Sequence, residues 1–297
     1  MISFRKMAAA ILISFTLGSV FYHIVGHRIQ NNETLVASQE ISRVMTPLGS
    51  RSQVELSDGT LVSLNAGSSL RYSNSFGREN REVWLEGEGY FMVVKNTAIP
   101  FIVRAKDVTI QALGTEFNVK AYPEEKTVQT TLVNGLVSIR QTNTSVHTKE
   151  IMLKPKQTVT IYEPAEIINP VKDKMAQPTT NRTPDRIAEK MTTDNTELKD
   201  NINIEQYTSW KDARWVIESE PLDELAVKLQ RRYDVQIMIT DDALKKYPFN
   251  GILADETLEQ VLEIMKSIAP INYSIRKKTV TLSINPHQKK FFDEMIK

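Results

Sequence analysis

The sequence predicts three parts in order: a single transmembrane helix, an all-β sandwich or roll, and a small α/β domain built from two βαβ repeats. An uncharged apolar run near the N-terminus predicts the first part. Short β-rich segments interrupted by glycine predict the second, and a repeated strand–helix–strand pattern predicts the third. A chain of 297 residues is long enough for two domains, each with its own core.

The amino-acid composition excludes several functional classes. The 37 Lys and Arg residues nearly balance the 36 Asp and Glu residues, so no overall field favours nucleic acid as a partner. The chain has no cysteine. This excludes disulfides, thiolate catalysis, cysteine-ligated zinc and a lipid-modified cysteine anchor.

The apolar run near the N-terminus has the length of a membrane span. Residues 7–25 carry no charged side chain apart from the titratable His23, and at about 1.5 Å per residue they cover the roughly 30 Å hydrocarbon layer. Arg5 and Lys6 precede the run, which favours an N-in orientation. We therefore expect an anchor at 7–26 in the inner membrane, with the bulk of the chain periplasmic.

This prediction divides the N-terminal region into a cytoplasmic stub at 1–6, the transmembrane anchor, and a polar stem at 28–43. The alternative is a cleaved signal peptide. Against that alternative, the run is longer than a usual signal-peptide core. The nearest candidate cleavage site, Val36-Ala37-Ser38, lies too far downstream.

Strand and turn signals dominate residues 44–163. Asp58-Gly59 lies between VELS and TLVSL, and Asn134-Gly135 lies between VQTTLV and LVSIR. At both places a type I′ hairpin turn would need residues that tolerate positive φ. Short strands with closely spaced turns and no convincing helix indicate an all-β sandwich or roll. Glycines inside such strands mark bulges or close backbone contacts, and the further structural positions expected here are Gly87, Gly89 and Gly114.

The C-terminal half begins with a change of composition. Residues 164–206 are rich in Pro, Thr, Asn, Lys and Asp and cannot bury enough apolar surface to offset their ordering entropy, so we expect a flexible linker. Beyond it, PLDELAVKLQRRYDVQIMI (221–239) aligns with TLEQVLEIMKSIAPINYSI (257–275). Each segment has the apolar stripe of an amphipathic helix followed by an alternating strand, and another strand precedes each helix. The pattern predicts a βαβ-repeat domain at 207–284 and a tail at 285–297.

No side-chain cluster in the sequence carries a strong catalytic or metal signature. Glu86 and Glu88 would project about 7 Å apart from one strand face, near the spacing of an inverting glycosidase pair. Catalytic carboxylates normally come from separate elements, so we favour a structural role for both. His23 and His27 have metal-type spacing but lie at the end of the apolar run. We therefore expect no enzyme, no cofactor and no metal site.

Two tryptophans, Trp210 and Trp215, flank the start of the C-terminal domain. Packing in the core or at the domain edge is the simpler interpretation of both side chains. Contact with a binding partner is the alternative, since exposed tryptophans often dominate binding energies.

Six segments of the β region occur in an order typical of one protein family. They are VELSDGTLVSLNAGSSLRY, LEGEGYFMVV, IPFIV, LGTEFNVKAY, TLVNGLVSI and LKPKQTVTI. On these segments the chain resembles the FecR family, envelope-anchored regulators that pair with extracytoplasmic-function sigma factors. The C-terminal repeat is similar to the domain that follows FecR in Bacteroidetes members, and to the short N-terminal domains of secretins and TonB-dependent receptors.

The resemblance implies a membrane-anchored periplasmic signalling protein. Such a protein relays a signal from a TonB-dependent outer-membrane transporter by binding the transporter's signalling domain, and strand addition or an edge surface would serve that binding. Only Met1 to Lys6 precede the apolar run, too few for the family's cytoplasmic sigma-binding domain. A sigma factor is therefore an expected partner only if that domain is supplied elsewhere. The alternative is a structural or glycan-binding envelope protein without a transcriptional role.

Overall fold

The structure is a computed structural model that describes residues 19–22, 41–142, 150–163, 195–212 and 214–295. By its internal contacts the chain divides into two compact units, Met1–Ser42 and Arg43–Lys297. In the first unit, the described residues 19–22 are helical.

The predicted transmembrane helix at 7–26 is wrong, and so is the single-pass inner-membrane localisation derived from it. Among the helices that the structure describes, none is both long and apolar enough to cross a membrane. Apolar composition marks a candidate span, but composition alone does not establish the continuous helix of about 20 residues that a span needs. The rest of the predicted span, His23, His27 and the candidate cleavage site lie outside the described residues.

Alternating short strands build the β region. In β6 and β7, for example, every second residue is buried and the residues between are half-buried, which is the period-two pattern of a strand with one face on a core. The strands are β1 Ile41–Thr46, β2 Ser52–Glu55, β3 Leu61–Leu64, β4 Ser68–Ser73, β5 Arg81–Met92, β6 Phe101–Ala105, β7 Val108–Ala112, β8 Glu116–Ala121, β9 Thr127–Asn134, β10 Val137–Gln141, β11 Ile151–Leu153, β12 Gln157–Tyr162 and β13 Thr196–Lys199.

Among the described residues these strands form one 13-stranded sheet. Its main path runs β11-β10-β7-β6-β5-β8-β9-β12-β13, and β1 to β4 attach to it through β5. The long strand β5 joins the two halves of the sheet. Its first half pairs with β4 and β6, and its second half pairs with β3 and β8.

The sandwich prediction is wrong in its topology. A sandwich has two separate sheets, whereas here β5 belongs to both halves and the sheet curls into a half-barrel. One core lies inside the curl: Ile139 of β10 and Ile161 of β12 belong to the same buried cluster, although their strands lie towards opposite ends of the sheet. Side-chain alternation predicts which residues face a core, but it does not predict which strand two halves of a sheet share.

A buried arginine anchors the start of β5. The side chain of Arg81 is almost completely buried, and its Nη1 lies 3.1 Å from Asp58 Oδ2. The same guanidinium donates to the backbone oxygens of Ile99 at 2.8 Å and Val94 at 2.9 Å. Asp58 therefore does more than shape a turn, because its carboxylate is the charged partner of a buried cation.

The C-terminal part contains the two helices that the repeat predicts. Its helices are α1 Glu205–Thr208, α2 Leu222–Tyr233, α3 Asp242–Lys245, α4 Leu258–Ile268 and α5 Pro286–Met295, with a 3₁₀ turn at Ser209–Lys211 after α1. Its strands are β14 Trp215–Pro221, β15 Gln236–Ile239, β16 Pro248–Leu253, β17 Ile271–Arg276 and β18 Thr279–Ile284. A capping box formed by Thr257 and Gln260 fixes the start of α4.

The prediction of two βαβ repeats is wrong in its strand pairing. β14 and β16 pair antiparallel in a two-stranded sheet, whereas β15 pairs parallel with β18, which pairs antiparallel with β17. In each strand–helix–strand unit, the two strands therefore lie in different sheets. Periodicity within the sequence identifies each element, but the partner of a strand is decided by residues far away in the chain.

The end of the predicted linker contributes a strand. Residues 164–194 lie outside the described residues, while β13 at Thr196–Lys199 pairs antiparallel with β12. Its sequence, TELK, is polar and has no strand signal of its own. Backbone hydrogen bonds to β12 place it at the edge of the sheet, and this matters for the groove described next.

Candidate partner-binding groove

A groove runs between the sheet and helix α2 and encloses a cavity of about 930 Å³. The floor consists of side chains from β9, β12 and β13: Thr127, Gln129, Thr160, Tyr162, Glu197 and Lys199. The roof consists of the end of β14 and the first turns of α2: Glu220, Pro221, Asp223, Glu224, Val227 and Lys228. Alternate residues of β9 and β12, such as Val128 and Val159, belong to the core, so the polar set lies on the outer face of the sheet.

The floor and the roof carry charges that affect each other. The Tyr162 hydroxyl donates a hydrogen bond to Glu197 Oε2 at 3.0 Å. This hydrogen bond, partial burial, and the charges of Glu197 and Glu224 raise the pKa of the Tyr162 hydroxyl. Glu224 belongs to the roof and Tyr162 to the floor. A charged ligand in the groove would therefore interact with charged groups on both walls.

A buried carboxylate lies in the roof. Strand β14 changes register between Ile217 and Glu220, and the bulge leaves Glu220 only 4% exposed. Glu220 Oε1 lies 2.7 Å from Lys228 Nζ. Despite this ion pair, neither of its oxygens accepts a hydrogen bond of suitable geometry from the described residues. A buried carboxylate without hydrogen bonds is costly, so Glu220 has unused capacity to accept them.

Arg231 of α2 clamps the C-terminal part onto the sheet. Its guanidinium lies 2.8 Å from Glu124 Oε1, 2.7 Å from Glu125 Oε1 and 3.4 Å from the centre of the Tyr122 ring. Burial raises the pKa of the Glu125 carboxyl, but the charges of Lys120 and Arg231 outweigh it, and the net pKa is lowered. The groove is therefore closed at this end by an ion-pair cluster that stays charged at neutral pH.

A second contact joins the two parts through neutral and charged hydrogen bonds. Trp210 Nε1 donates to Asn118 Oδ1 at 3.1 Å, and Asn118 Nδ2 donates to Glu88 Oε1 at 2.9 Å. The other oxygen of Glu88 accepts from Asn65 Nδ2 at 2.8 Å. Arg51 Nη1 donates to the backbone oxygen of Trp210 at 2.5 Å. This network fixes Trp210 against the sheet.

The two carboxylates considered for catalysis have separate structural roles. Glu86 is half-exposed and lies 3.8 Å from Arg43 and 3.5 Å from Arg71, whereas Glu88 is buried and accepts hydrogen bonds from two asparagines. Between them, Gly87 has a φ of +100°, and β5 changes its pairing partner there. The two side chains therefore face different surroundings and do not flank a common substrate position.

The predicted turn residues occupy loops and the bend of β5. A Cβ added at Gly87 would lie 2.7 Å from Ser68 Cα, so this position requires glycine. Gly59, Gly114 and Gly135 also have positive φ, while Gly89 does not. Asp58 and Asn134 do not adopt positive φ either. Gly59 N donates to Leu56 O, so this hairpin uses a three-residue loop with a glycine bulge rather than the expected type I′ turn.

Trp210 and Trp215 are both buried in the core cluster of the C-terminal part, at 7% and 5% exposure. The ring of Trp215 is covered by the guanidinium of Arg232 at 5.5 Å. In the structure both tryptophans pack inside the protein. Each also lines the groove wall, so they support its shape more than they offer a surface.

The groove depends on residues that sequence reasoning missed. Arg231 lies in a predicted helix and Glu220 follows directly after a predicted strand at 213–219, but neither residue has a local signal for a long-range ion pair or a bulge. The described parts of the chain contain no group of three or more His, Asp or Glu side chains placed to hold a metal ion. The chemistry of the groove suits binding. Its lining offers carboxylates, ammonium groups and hydroxyls, and β13 offers a strand edge with which no described strand pairs.

Two family models match the chain. The model described as FecR protein matches residues 42–138, and the model described as FecR, C-terminal, matches residues 214–282. The first segment covers most of the curled sheet, and the second covers most of the part that forms the roof of the groove. No curated protein matches the chain significantly.

Two crystal structures of a proposed anti-sigma factor from Parabacteroides distasonis are similar to this chain. The structure at 1.65 Å resolution has a TM-score of 0.63 at 23% identity and covers 81% of this chain and 98% of that chain. The structure at 2.50 Å resolution has a TM-score of 0.64 at 23% identity and covers 82% of this chain and 99% of that chain. At this identity the likeness shows a shared fold.

Proposed function

The chain belongs to the FecR family, and from this premise we propose that it is a non-enzymatic regulator in a sigma-factor signalling system. It acts by binding other proteins. The observation that carries the proposal is the groove: the two family segments pack into one unit and leave a polar, charged cavity between them. The similarity in fold to a proposed anti-sigma factor also supports a regulatory role of this kind.

The upstream partner in this proposal is the signalling domain of a TonB-dependent transporter. The downstream partner is a sigma factor. The groove suits the upstream contact because its walls come from both family segments, so a bound domain would touch the sheet and the C-terminal part together. The groove is also lined by many charged and polar side chains, whereas the sites of small apolar cofactors are mostly apolar. The surface of a partner protein is therefore the better fit.

Co-purification tests the proposal. The full chain is immobilised and offered the transporter signalling domains encoded in the same genome, and one of them should be retained in a defined stoichiometry. A deletion strain should then lose induction of that transporter's gene. Retention of none of the domains by folded protein, together with unchanged induction in the deletion strain, would contradict the proposal.

A matched pair of variants locates the contact. Glu224 and Glu259 both lie exposed in the first turn of a helix, but only Glu224 lines the groove. Glu224→Arg should weaken retention of the signalling domain about tenfold, since it reverses one charge at the contact. Glu259→Arg should leave retention unchanged. Equal retention by both variants would exclude the groove as the contact.

A further inference from the structure

Strand β13 ends the sheet with one row of unused backbone groups. Tyr162 N donates to Asn195 O at 2.8 Å, and on the other side of β12 Glu163 N donates to Lys126 O at 2.9 Å. Backbone groups of successive residues point to opposite sides of a strand. Glu197 and Lys199 therefore direct their N–H and C=O groups to β12, while Thr196 and Leu198 direct theirs outward. Within the described residues, no strand pairs with that outer edge.

The two faces of β13 differ in character. Glu197 and Lys199 project into the groove. Leu198 projects from the opposite face and is 48% exposed. In a strand added to this edge, the residue opposite Glu197 would share its face and enter the groove, and the residue opposite Leu198 would cover the leucine.

One group of side chains that line the groove, taken from β13, the end of β14 and the start of α2, has an excess of negative charge. It combines four carboxylates, Glu197, Glu220, Asp223 and Glu224, with two ammonium groups, Lys199 and Lys228. The ammonium groups are already used, because Lys199 lies 3.4 Å from Glu197 and Lys228 lies 2.7 Å from Glu220. Among the ion pairs of the described residues, Glu197 and Glu220 take part through these two lysines, while Asp223 and Glu224 do not take part. Neither oxygen of Glu220 accepts a hydrogen bond there. These carboxylates can therefore accept a further cation.

We propose that the outer edge of β13 accepts a β-strand of the partner protein, and that this strand carries Arg or Lys opposite Glu197 and an apolar residue opposite Leu198. The proposal rests on the proposed function and specifies the surface used and the chemistry of the partner. Thr196 and Leu198 supply backbone hydrogen bonds, which bring affinity without sequence preference. The carboxylates of the groove supply the preference, because a guanidinium or ammonium group donates to several of them at once.

Disulfide trapping tests this proposal in the full chain. Because the chain has no cysteine, Leu198→Cys gives a single reactive thiol on the exposed face of β13. The probes are acetyl-Thr-Val-Cys-Arg-Thr-amide and the matched peptide acetyl-Thr-Val-Cys-Glu-Thr-amide. Added antiparallel to β13 with its cysteine bonded to Cys at position 198, each peptide places its Arg or Glu opposite Glu197. The measured quantity is the concentration of 2-mercaptoethanol that releases half of each adduct, read by intact-protein mass spectrometry.

The Arg peptide should need about fivefold more reductant than the Glu peptide, a ratio at the upper end for one cross-strand charge pair. Glu197→Gln or Glu220→Gln in the Leu198→Cys background should reduce that ratio towards one. In the trapped adduct, the amide of Thr196 should become protected from hydrogen exchange. Equal release of both peptides, or no added protection at Thr196, would overturn the proposal.

Met238→Cys supplies the control. Met238 is 57% exposed and lies on the edge strand β15 between Ile237 and Ile239, with no carboxylate beside it in the strand. The two peptides should be released there at the same reductant concentration, and an equal Arg preference would show a general charge effect instead of a β13 site. The trapping experiment and the co-purification experiment can give different results. The Arg preference at β13 can be absent while a transporter domain is still retained, and it can be present when no transporter domain is retained.

Discussion

Replacing Arg231 by Met tests the clamp that joins the two family segments. Met has nearly the helix propensity of Arg, so the substitution in α2 removes the charge while keeping helix and bulk. It removes the ion pairs to Glu124 and Glu125 and the contact with the Tyr122 ring. What remains is a mostly buried Glu125 with one cationic partner, Lys120, at 3.0 Å.

The expected cost follows from the burial of each partner. Breaking a buried ion pair by removing one member costs about 3–5 kcal/mol, because the other charge stays desolvated. Glu124 is largely exposed and Glu125 keeps Lys120, so the lower end applies and we expect about 3 kcal/mol. With a urea m-value of about 3 kcal/mol per molar, the unfolding midpoint should fall by roughly 1 M.

The assay is urea unfolding followed by tryptophan fluorescence. The double variant Arg231→Met with Glu125→Gln should be less destabilised than the sum of the single variants, since removing both charges leaves neither unpaired. Arg140→Met is the control: Arg140 is 53% exposed and pairs with Glu150, so its loss should cost less than about 1 kcal/mol. Equal midpoint shifts for Arg231→Met and Arg140→Met would refute the clamp.

Three further predictions concern the sheet and its charged contacts. Gly87→Ala places a Cβ 2.7 Å from Ser68 Cα at a φ of +100° and should lower the free energy of unfolding by about 2 kcal/mol or more. Gly251→Ala, where a Cβ meets nothing within 4 Å, should change it by less than about 1 kcal/mol; similar thermal midpoints for the two would contradict this. Arg81→Met should cost about 3–5 kcal/mol in urea unfolding because Asp58 stays buried, and Asp58→Asn in the same chain should recover part of it; a fully additive double variant would argue against the pair. Because the pKa of Glu125 is lowered on folding, its stabilisation is present above its unfolded pKa of about 4.5 and is lost as pH falls through the folded value. At pH values below about 4.5, the urea midpoint of the wild type should therefore fall more steeply with decreasing pH than that of Glu125→Gln. Parallel pH profiles of the two proteins would rule this out.

The elements could be predicted from the sequence because their signals are local. The stripe in 221–239 and its repeat in 257–275 indicate α2 and α4, and alternation indicates β6 and β7, since each pattern needs only neighbouring residues. Strand pairing could not be predicted in the same way. β5 divides its partners at Gly87, and β14 pairs with β16 instead of lying beside β15. Both outcomes depend on residues that are distant in the chain.

The groove shows the same limit more sharply. Arg231 and Glu125 are each ordinary surface-type residues in sequence, and only the packing of α2 onto the sheet makes them a buried pair. β13 carries no apolar alternation, so composition assigned its residues to a linker, yet pairing with β12 makes it an edge. Long-range charge pairs and polar edge strands leave no periodic trace in a single sequence.

The chemistry of the carboxylates follows from what each one already contacts. Both oxygens of Glu88 accept hydrogen bonds from asparagine amides, and Glu86 faces two arginines, so each is committed to holding the sheet together. Glu220 differs, because its desolvation is offset by a single lysine and neither oxygen accepts a hydrogen bond from the described residues. A native protein retains such an incompletely paired buried charge at a cost. Glu220 lines the same groove as Glu197 and Lys199 of the unpaired edge strand. Binding of a partner strand can supply both a further cation for the groove and the missing backbone hydrogen bonds of the edge, and this use accounts for both features together.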